Sequence, residues 1–481
     1  MPAPLDDRYG LLIDGETRAA ASGETFTTID PSTEEPLTEV AAAGAEDVDD
    51  AVASARRAQE SWARRDPKER GAVLHDIADA VRENADRLAE VATLHNGKPL
   101  SQSRDEVAVY AEYFEYYAGI ADKVHGETIP RTGEYVDFTI REPLGVTAHV
   151  VPWNFPIQIV GRGVAVSLAV GNAAVVKPAP QTPVSALTLG EIALDAGLPA
   201  GLFNVVPGSG EEAGAALTGH PGVDGVSFTG SVPTGKAVMK AAAENITPVT
   251  LELGGKSPCV VYDDADLDVA VGNAIDMLFG VYSGQCCIGG SRLLVQESIY
   301  EAFLDRLVEA TEELTIGPGI EDPDMGPMVS EAQFEKVRRY LAVGREEAGE
   351  PLTGGAVLDR PGYYVEPTIF AGVDNDTRIA REEVFGPVLV AMPFADEDEA
   401  IETANDTEYG LVAGVFTSDV GRAMRFAREI EAGQVYVNEW FAEGVETPFG
   451  GYKQSGIGRE KGTEAVREFT QVKNVCANIE I

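Results

Sequence analysis

Cysteine, histidine and basic side chains are scarce in this sequence of 481 residues, and each shortage excludes a class of protein. Four cysteines are too few for a disulfide framework in a chain of this length, so we expect a reducing, cytoplasmic location. Five histidines, none close to the paired cysteines discussed below, argue against a metal site. No run of about 20 apolar residues occurs, and the first residues lack the regions of a secretory signal, so we expect no membrane span and no secretion.

The balance of charge is strongly acidic, with 37 basic against 79 acidic residues and a formal net charge of −42. Such a surface repels nucleic acids and anionic membranes, which excludes both as partners. The acidic residues are spread along the chain and do not form a tail. Dispersed acid with few lysines leads to the hypothesis that the protein is adapted to high salt, where screening weakens the repulsion between its charges.

The length predicts more than one domain. Apolar residues at helical spacing predict amphipathic helices over 46–64, 68–95 and 101–122. The stretch 133–142 alternates apolar and polar residues and is typical of a half-exposed strand.

From residue 145 onward, short apolar runs that end at glycine or proline alternate with helical patterns. This alternation predicts an α/β fold in which parallel, doubly wound sheets form two lobes that divide near residue 255. The final residues again alternate like a strand. Together with 124–143 they are expected to form a small appended sheet, which suits subunit contact in a homo-oligomer.

Two glycine-bearing turns follow strands and precede helices, at 208–213 and 230–235. Such turns let the backbone approach a pyrophosphate at a helix N-terminus. The second turn nearly matches a P-loop, but Ala237 stands where a magnesium-binding hydroxyl is required, so NTP hydrolysis is excluded. Either turn taken alone is equally typical of plain structure, and the two in succession favour a nucleotide cofactor.

Two of the four cysteines are adjacent, Cys286 and Cys287, with glycines on both sides. A buried and inert pair is the default interpretation for cysteine. The glycines favour an accessible thiolate, because they leave room for a substrate and expose backbone N–H donors. The local pattern does not choose between the two cysteines.

Three further residues suit a cysteine nucleophile, although each has a structural alternative. Glu252 is a carboxylate in an apolar strand, where it serves as a base or forms an ion pair with Lys256. Asn154 is an oxyanion donor or a turn cap. Lys177 ends a strand, a position that in an open α/β sheet points into the ligand crevice.

Taken together, these segments resemble the NAD(P)-dependent aldehyde dehydrogenase superfamily over essentially the whole chain. The resemblance rests on the following segments, in this order: PWNFP (152–156), VVKPA (175–179), FTGS (228–231), LELGGKSP (251–258), GQCC (284–287), EEVFGPV (382–388) and PFGGYKQSGIGRE (448–460). It implies a dinucleotide-binding domain in 1–123 and 144–253. It further implies a catalytic domain in 254–455 and an oligomerisation arm in 124–143 and 466–481.

The resemblance also implies a mechanism for oxidising an aldehyde to a carboxylic acid. Cys287 matches the family nucleophile, which leaves Cys286 as its neighbour. Glu252 matches the residue that activates water against the thioester, Asn154 the oxyanion donor and Glu460 a second carboxylate that suits a proton relay. With Lys177, these are the catalytic residues that we predict. The same resemblance suggests cofactor-binding residues, which are Trp153, Lys177, Pro180, Gly208, Phe228, Gly230, Ser231, Glu252, Gly254, Glu383 and Phe385.

One departure from the family concerns the choice of cofactor. NAD-preferring members often carry a glutamate three residues after the lysine, and here Pro180 occupies that position. A glutamate would repel a 2′-phosphate, so its loss leads us to expect NADP, or use of both NADP and NAD.

Candidate substrate-binding residues are Arg162, Trp440, Phe441, Phe155 and Cys286. Arg162 stands where simple aliphatic aldehyde oxidisers carry an aromatic residue, and a guanidinium in a tunnel suits a substrate carboxylate. A carboxylated semialdehyde of the succinate or α-ketoglutarate type is therefore the expected substrate, unless a local acid pairs with Arg162. The alternatives are betaine aldehyde in an aromatic cage, a general aliphatic aldehyde, a CoA-acylating enzyme and a catalytically silent member.

Overall fold

Strands and helices alternate along the chain in the computed structural model, which describes residues 5–479. The strands are β1 (Arg8–Tyr9), β2 (Leu11–Ile13), β3 (Glu16–Arg18), β4 (Thr25–Ile29), β5 (Pro36–Ala41), β6 (Tyr135–Pro143), β7 (Val146–Val151), β8 (Ala173–Pro178), β9 (Phe203–Val205), β10 (Gly225–Thr229), β11 (Val249–Glu252), β12 (Pro258–Val261), β13 (Arg292–Gln296), β14 (Thr368–Ala371), β15 (Val388–Phe394), β16 (Val412–Phe416), β17 (Gln434–Val437), β18 (Gly456–Ile457) and β19 (Thr470–Asn478). The α-helices are α1 (Ala45–Ala63), α2 (Pro67–Glu83), α3 (Ala85–Asn96), α4 (Leu100–Ile120), α5 (Pro156–Val170), α6 (Pro183–Asp195), α7 (Ala215–Thr218), α8 (Val232–Ala243), α9 (Leu267–Ile275), α10 (Tyr300–Glu312), α11 (Glu331–Ala348), α12 (Arg378–Arg381), α13 (Glu397–Asn405), α14 (Val420–Glu429) and α15 (Ala465–Glu468).

The first large sheet has eight strands in the order β18-β11-β10-β7-β8-β9-β2-β3. Its five central strands, from β11 to β9, are parallel and rich in buried Val and Ala. Buried apolar strands of this kind need helices on both faces, which is the doubly wound arrangement. Antiparallel strands close its edges, β18 beside β11 and β2 beside β9.

The second large sheet has six strands, all parallel, in the order β14-β15-β13-β12-β16-β17. The predicted boundary near residue 255 falls between β11 of the first sheet and β12 of the second. The predicted fold class, two α/β lobes with a small β arm, is confirmed.

The arm is a long antiparallel pair of β6 and β19, with register from Thr470 opposite Pro143 to Asn478 opposite Tyr135. The last two residues of the predicted arm segment lie outside the described residues. A further sheet, β1-β5-β4, lies near the N-terminus.

Four helices begin at an aspartate, which gives part of the abundant acid a local structural use. Asp66, Asp266, Asp396 and Asp419 each accept hydrogen bonds from backbone N–H groups in the first turn of α2, α9, α13 and α14. A carboxylate at this position satisfies orphan donors and favours the helix dipole.

The structure differs from one helix prediction. The segment 68–95 is two helices, α2 and α3, which meet at Asn84. The Asn84 side chain donates to the carbonyl of Ala80 and its backbone leaves the helical region, so the local hydrogen bond competes with continuation of the helix. No helix within residues 5–479 is both long and apolar enough to cross a bilayer.

Candidate functional site

A cavity of about 180 Å³ opens where β7, β10 and β11 end, between the two large sheets. Parallel strands place their carboxyl ends at one edge, and ligands bind in the crevice there. Eight of the predicted site residues line this first cavity, which are Trp153, Asn154, Gly230, Ser231, Gly254, Cys287, Glu383 and Phe385.

A second cavity, of about 250 Å³, lies beside the first and is lined by Phe155, Arg162, Cys286 and Phe441 among the predicted residues. Cys287 lines both cavities. The structure therefore places this side chain where groups that enter from two directions can meet.

The loop that presents Cys287 is strained. Tyr282, Ser283 and Gly284 have successive φ angles of 46°, 52° and 76°, in the left-handed region that non-glycine residues rarely adopt. Hydrogen bonds hold this conformation: Ser283 donates to the carbonyl of Gly326, and the Gln285 side chain bonds to the 327–329 segment. These hydrogen bonds offset part of the energetic cost of the strained loop, and they fix the direction in which the loop presents Cys287.

All four cysteines are free thiols, and the two in the loop differ in exposure. Cys287 is partly exposed, whereas Cys286 is buried. The neighbouring Cys286 thiol and burial raise the pKa of Cys287 well above its ordinary value, while the Arg162 charge opposes them. Cys287 therefore needs a base before it attacks. Residues 5–479 contain no group of three or more His, Cys, Asp and Glu side chains that is arranged to hold a metal ion.

Asn154 lies between β7 and α5 on the wall of the first cavity and is buried. Its Nδ2 donates to the carbonyl oxygen of Gln285 at 3.1 Å, which fixes the amide beside the Cys287 loop. A carboxamide nitrogen carries two hydrogens, so this amide has a second donor beyond the bond to Gln285.

Glu252 ends β11 and is buried, and neither of its oxygens has a hydrogen-bond partner among the described residues. Burial and the nearby Glu460 raise its pKa well above the ordinary value, and Arg162 opposes this shift. The alternative ion pair with Lys256 does not form, since the Lys256 Nζ also lacks a hydrogen-bond partner there. An unpartnered buried carboxyl within electrostatic range of Cys287 is typical of a catalytic acid or base.

Arg162 on α5 forms a buried ion pair with Glu460, and its Nη2 donates to Thr229 Oγ1 at 3.0 Å. Ser227 donates to the other oxygen of Glu460 at 2.6 Å. The sequence left open whether Arg162 faces a substrate anion or a local acid. The structure provides the local acid, although Arg162 still lines the second cavity.

The far side of the first cavity has a geometry that fits a dinucleotide. Glu383 accepts from the Gly255 N–H at 2.9 Å, and a Cβ on Gly254 would lie 2.5 Å from a Glu383 oxygen. Phe385 has φ 60° and meets the Trp153 ring edge-on at 5.4 Å. Glycine turns, the N-terminus of α8 and a carboxylate suit a pyrophosphate followed by a ribose.

A third cavity, of about 510 Å³, is lined by Pro180, Gln181, Ser209 and Glu212 among others. Lys177, at the carboxyl end of β8, is almost buried, and burial lowers its pKa to about 8. Pro180, which replaces the glutamate of NAD-preferring family members, lies on the wall of this third cavity. Glu212 lies on the same wall and supplies a carboxylate there.

Six predicted residues are absent from the walls of these three cavities, which are Lys177, Gly208, Phe228, Glu252, Trp440 and Glu460. The Trp440 ring packs in the core against Tyr436, and its Nε1 donates to the carbonyl of Ile288, a residue on the wall of the second cavity. Phe228 is also buried in a core cluster. Gly208 allows close packing, because a Cβ there would lie 2.8 Å from Ala213 Cβ.

Several polar residues on the cavity walls were not predicted from the sequence. Gln333 and Lys336 of α11 line the first cavity, and Tyr113, Gln158, Glu443 and Lys461 line the second. Lys461 forms an ion pair with Glu443 at 3.2 Å. The only sequence signal was that Lys461 directly follows Glu460, since the other residues come from elements distant along the chain.

Comparisons with known proteins agree with this geometry. A model of the aldehyde dehydrogenase family matches residues 18–475. A hydroxyisobutyraldehyde dehydrogenase from Mycolicibacterium austroafricanum is 46% identical over 473 residues, which cover 98% of this chain and 94% of that protein. The aldehyde dehydrogenase of Bacillus cereus, solved as an NAD+ complex, has a TM-score of 0.97 at 42% identity and covers 98% of this chain and 97% of its own.

The betaine aldehyde dehydrogenase of Staphylococcus aureus, also in complex with NAD+, has a TM-score of 0.96 at 38% identity. That match covers 98% of this chain and 95% of that one. The predicted superfamily is thus confirmed. The chain belongs to the aldehyde dehydrogenase family and is an NAD(P)-dependent oxidoreductase that acts on aldehydes.

Proposed function

We propose that this enzyme oxidises its aldehyde through a covalent bond to Cys287, with Asn154 as oxyanion donor and Glu252 as base. One observation carries the proposal, which is that Cys287 lines both the first and the second cavity. An aldehyde bound in the second cavity and a nicotinamide bound in the first would both lie next to this thiol.

The chain's own groups act in a fixed order. Glu252, as its carboxylate, accepts the proton of Cys287, and the sulfur attacks the aldehyde carbon. The Asn154 amide and the Cys287 N–H donate to the oxyanion that forms. Glu383 and Phe385 would hold the nicotinamide in the first cavity, where it would supply a hydride acceptor, and loss of hydride from that carbon would leave a thioester on Cys287. Glu252 first releases that proton to solvent. It then takes a proton from the water that cleaves the thioester and passes it to the departing sulfur, which frees the carboxylic acid and restores the Cys287 thiol.

Replacing each cysteine in turn tests the proposal. We expect Cys287→Ser to lower kcat at least about 1000-fold, because a serine hydroxyl is a far weaker nucleophile than a thiolate, while NAD(P) binding is retained. Cys286→Ser is the matched control, one residue away, and should keep kcat within about 3-fold. Steady-state kinetics and cofactor fluorescence titration measure both. Full activity in Cys287→Ser would overturn the proposal.

The first candidate substrate is a carboxylated semialdehyde, which rests on Arg162 at the wall of the second cavity. A substrate carboxylate would have to compete with Glu460 for this guanidinium. The other cation of the wall, Lys461, already pairs with Glu443. These pairings weigh against an anionic substrate.

The second candidate is a short uncharged polar aldehyde, such as a hydroxy aldehyde. The balanced ion pairs and the polar side chains of Tyr113 and Gln158 on the same wall support it. The relative named as a hydroxyisobutyraldehyde dehydrogenase adds support. The rings of Phe155, Phe441 and Phe449 also line this cavity and keep betaine aldehyde as a third candidate.

A panel of anionic, hydroxylated, quaternary ammonium and plain aliphatic aldehydes distinguishes these candidates, run with the wild type and with Arg162→Ala. A loss in kcat/KM at least about 10-fold larger for the anionic aldehyde than for the others would support the semialdehyde. Equal losses would contradict it. Turnover that requires coenzyme A would identify an acylating enzyme instead.

For the cofactor, the absence of an acid at Pro180 supports NADP or dual use, and Glu212 on the wall of the third cavity opposes a 2′-phosphate. The same panel, run with both cofactors, gives the ratio of kcat/KM. A much higher kcat/KM with NAD would contradict the NADP preference. We also propose that the β6–β19 arm joins subunits in a dimer or tetramer, and that the enzyme works in the cytoplasm, where Cys287 stays reduced.

A further inference from the structure

A buried ion pair lies behind the wall of the second cavity. Lys98, in the turn between α3 and α4, places its Nζ 2.7 Å from Glu106 Oε2 on α4. The side chains are 0% and 1% exposed. A buried pair of this kind gains little net stability over apolar packing, so its geometry rather than its energy calls for an explanation.

Glu106 also holds the start of α5. Its Oε1 accepts from the backbone N–H of Ile157 at 2.7 Å and of Gln158 at 3.0 Å. No side chain caps α5 from its own N-cap residue, Phe155. A carboxylate from another helix therefore satisfies the free donors of this first turn, with the favourable sign for the helix dipole. Asn154 immediately precedes that N-cap residue.

Lys98 contacts the two rings that border the Cys287 loop. Its Nζ lies 3.7 Å from the centroid of the Phe155 ring and 5.0 Å from that of Tyr282. The Tyr282 hydroxyl donates to the carbonyl of Asn96, the last residue of α3, two positions before Lys98. The cation thus contacts both the start of α5 and the strained loop before Cys287.

The Cys287 loop and the Asn154 segment come from different parts of the chain, 131 residues apart at their direct hydrogen bond. Lys98 and Glu106 contact both. Charged groups have strict directional requirements that apolar packing lacks. We propose that the Lys98–Glu106 pair is a positioning device that holds the Asn154 amide and the Phe155 ring in place against Cys287.

The inference rests on the oxyanion role proposed above for Asn154. Glu106→Gln removes the charge and keeps the shape. We expect kcat to fall between about 10-fold and 100-fold, less than the loss of about 100-fold to 1000-fold expected for Asn154→Ala, because the donor is displaced rather than deleted. The KM for NAD(P) should stay within about 2-fold, since the cofactor-side residues are untouched. Cofactor-free hydrolysis of a p-nitrophenyl ester at Cys287 should fall in the same proportion as kcat.

Asp224→Asn is the matched control. Asp224 also pairs with an arginine, Arg56, and accepts from a backbone N–H, that of Val146 at 2.7 Å. It precedes β10 at the end of the strand opposite the first cavity. We expect this variant to lower the melting temperature but to keep kcat. Equal losses of kcat in Asp224→Asn and Glu106→Gln, or an unchanged kcat in Glu106→Gln, would overturn the inference.

Glu106→Asp serves if Glu106→Gln fails to fold, because it keeps the charge but withdraws the carboxylate by one methylene from α5. As for Glu106→Gln, we expect a lower kcat and an unchanged KM for NAD(P). An unchanged kcat in Glu106→Asp would overturn the inference. Asn154→Ala distinguishes a failure of the proposed oxyanion role from a failure of the positioning role of the Lys98–Glu106 pair. Full kcat in that variant contradicts the oxyanion role and the inference together. A loss there without a loss in Glu106→Gln contradicts the inference alone.

Discussion

The surroundings of Glu252 lead to a specific prediction about how kcat depends on pH. Burial first, and then Glu460, raise its pKa well above the ordinary value for a glutamate. A base with a raised pKa is protonated at low pH and gains its function as the pH rises through that pKa. We therefore expect kcat to increase with pH over this range, and to stop increasing once Glu252 is ionised.

Glu252→Gln removes the ionisable group. We expect kcat to fall about 100-fold or more and the rise in kcat with pH to disappear, because the amide accepts no proton from water. Glu460→Gln is the matched control, since it removes a carboxylate that raises the pKa of Glu252. In that variant the rise should remain and move to lower pH. A pH profile of kcat measures both, and an unchanged profile in Glu252→Gln would contradict the assignment.

At the residue scale, the sequence predicted most of the residues that line the first cavity, because they lie in short motifs at strand ends, but only a minority of those that line the second. It did not predict that Glu460 would pair with Arg162, nor that Glu106 would cap α5 from 51 residues away. Contacts of this kind depend on how distant elements pack, and no local pattern of charge or hydrophobicity reports them.

At the scale of the element, the β6–β19 arm exposes more apolar surface than a free strand pair is expected to tolerate. Tyr135, Val136, Ile140 and Val472 are each between 36% and 57% exposed. A long edge with exposed apolar side chains invites pairing with another chain.

Val472→Asp should therefore shift the enzyme to a smaller species, because a desolvated carboxylate is costly in an interface. Light scattering coupled to size exclusion measures the mass. Val420→Asp on α14, where the valine is 73% exposed, is a matched control that should leave the mass unchanged. If both variants keep the wild-type mass, the arm is not the subunit contact.

The elements also differ in how far the sequence predicts them. The central strands β7, β8 and β10 were recognised because continuous apolar runs with flanking glycine or proline are a local signal. The short strands β1 to β5 were not. β2 joins the sheet by pairing with β9 at Val205, almost 200 residues later in the chain. A strand of three residues is too short for its sequence pattern to predict such a distant partner.

At the scale of the whole molecule, the net charge of −42 is unaffected by ion pairing, because each pair joins one cation to one anion. Most of these pairs are exposed and each contributes little. Raising the salt shortens the screening length from about 10 Å at 0.1 M to about 3 Å at 1 M, which weakens repulsion between carboxylates. We expect the melting temperature to rise between 0.1 M and 1 M KCl. An equal or lower melting temperature at 1 M would contradict salt adaptation.

The position of Cys287 between two cavities has a consequence for inhibition. A compound that occupies only the aldehyde side leaves the opposite entrance open, so excess NAD(P) cannot displace it. Its inhibition should be competitive against the aldehyde and not against the dinucleotide, and a compound on the dinucleotide side should show the reverse pattern. A single molecule that extends past the thiol into both cavities would compete with both the aldehyde and NAD(P). Contacts in both cavities would contribute to its affinity.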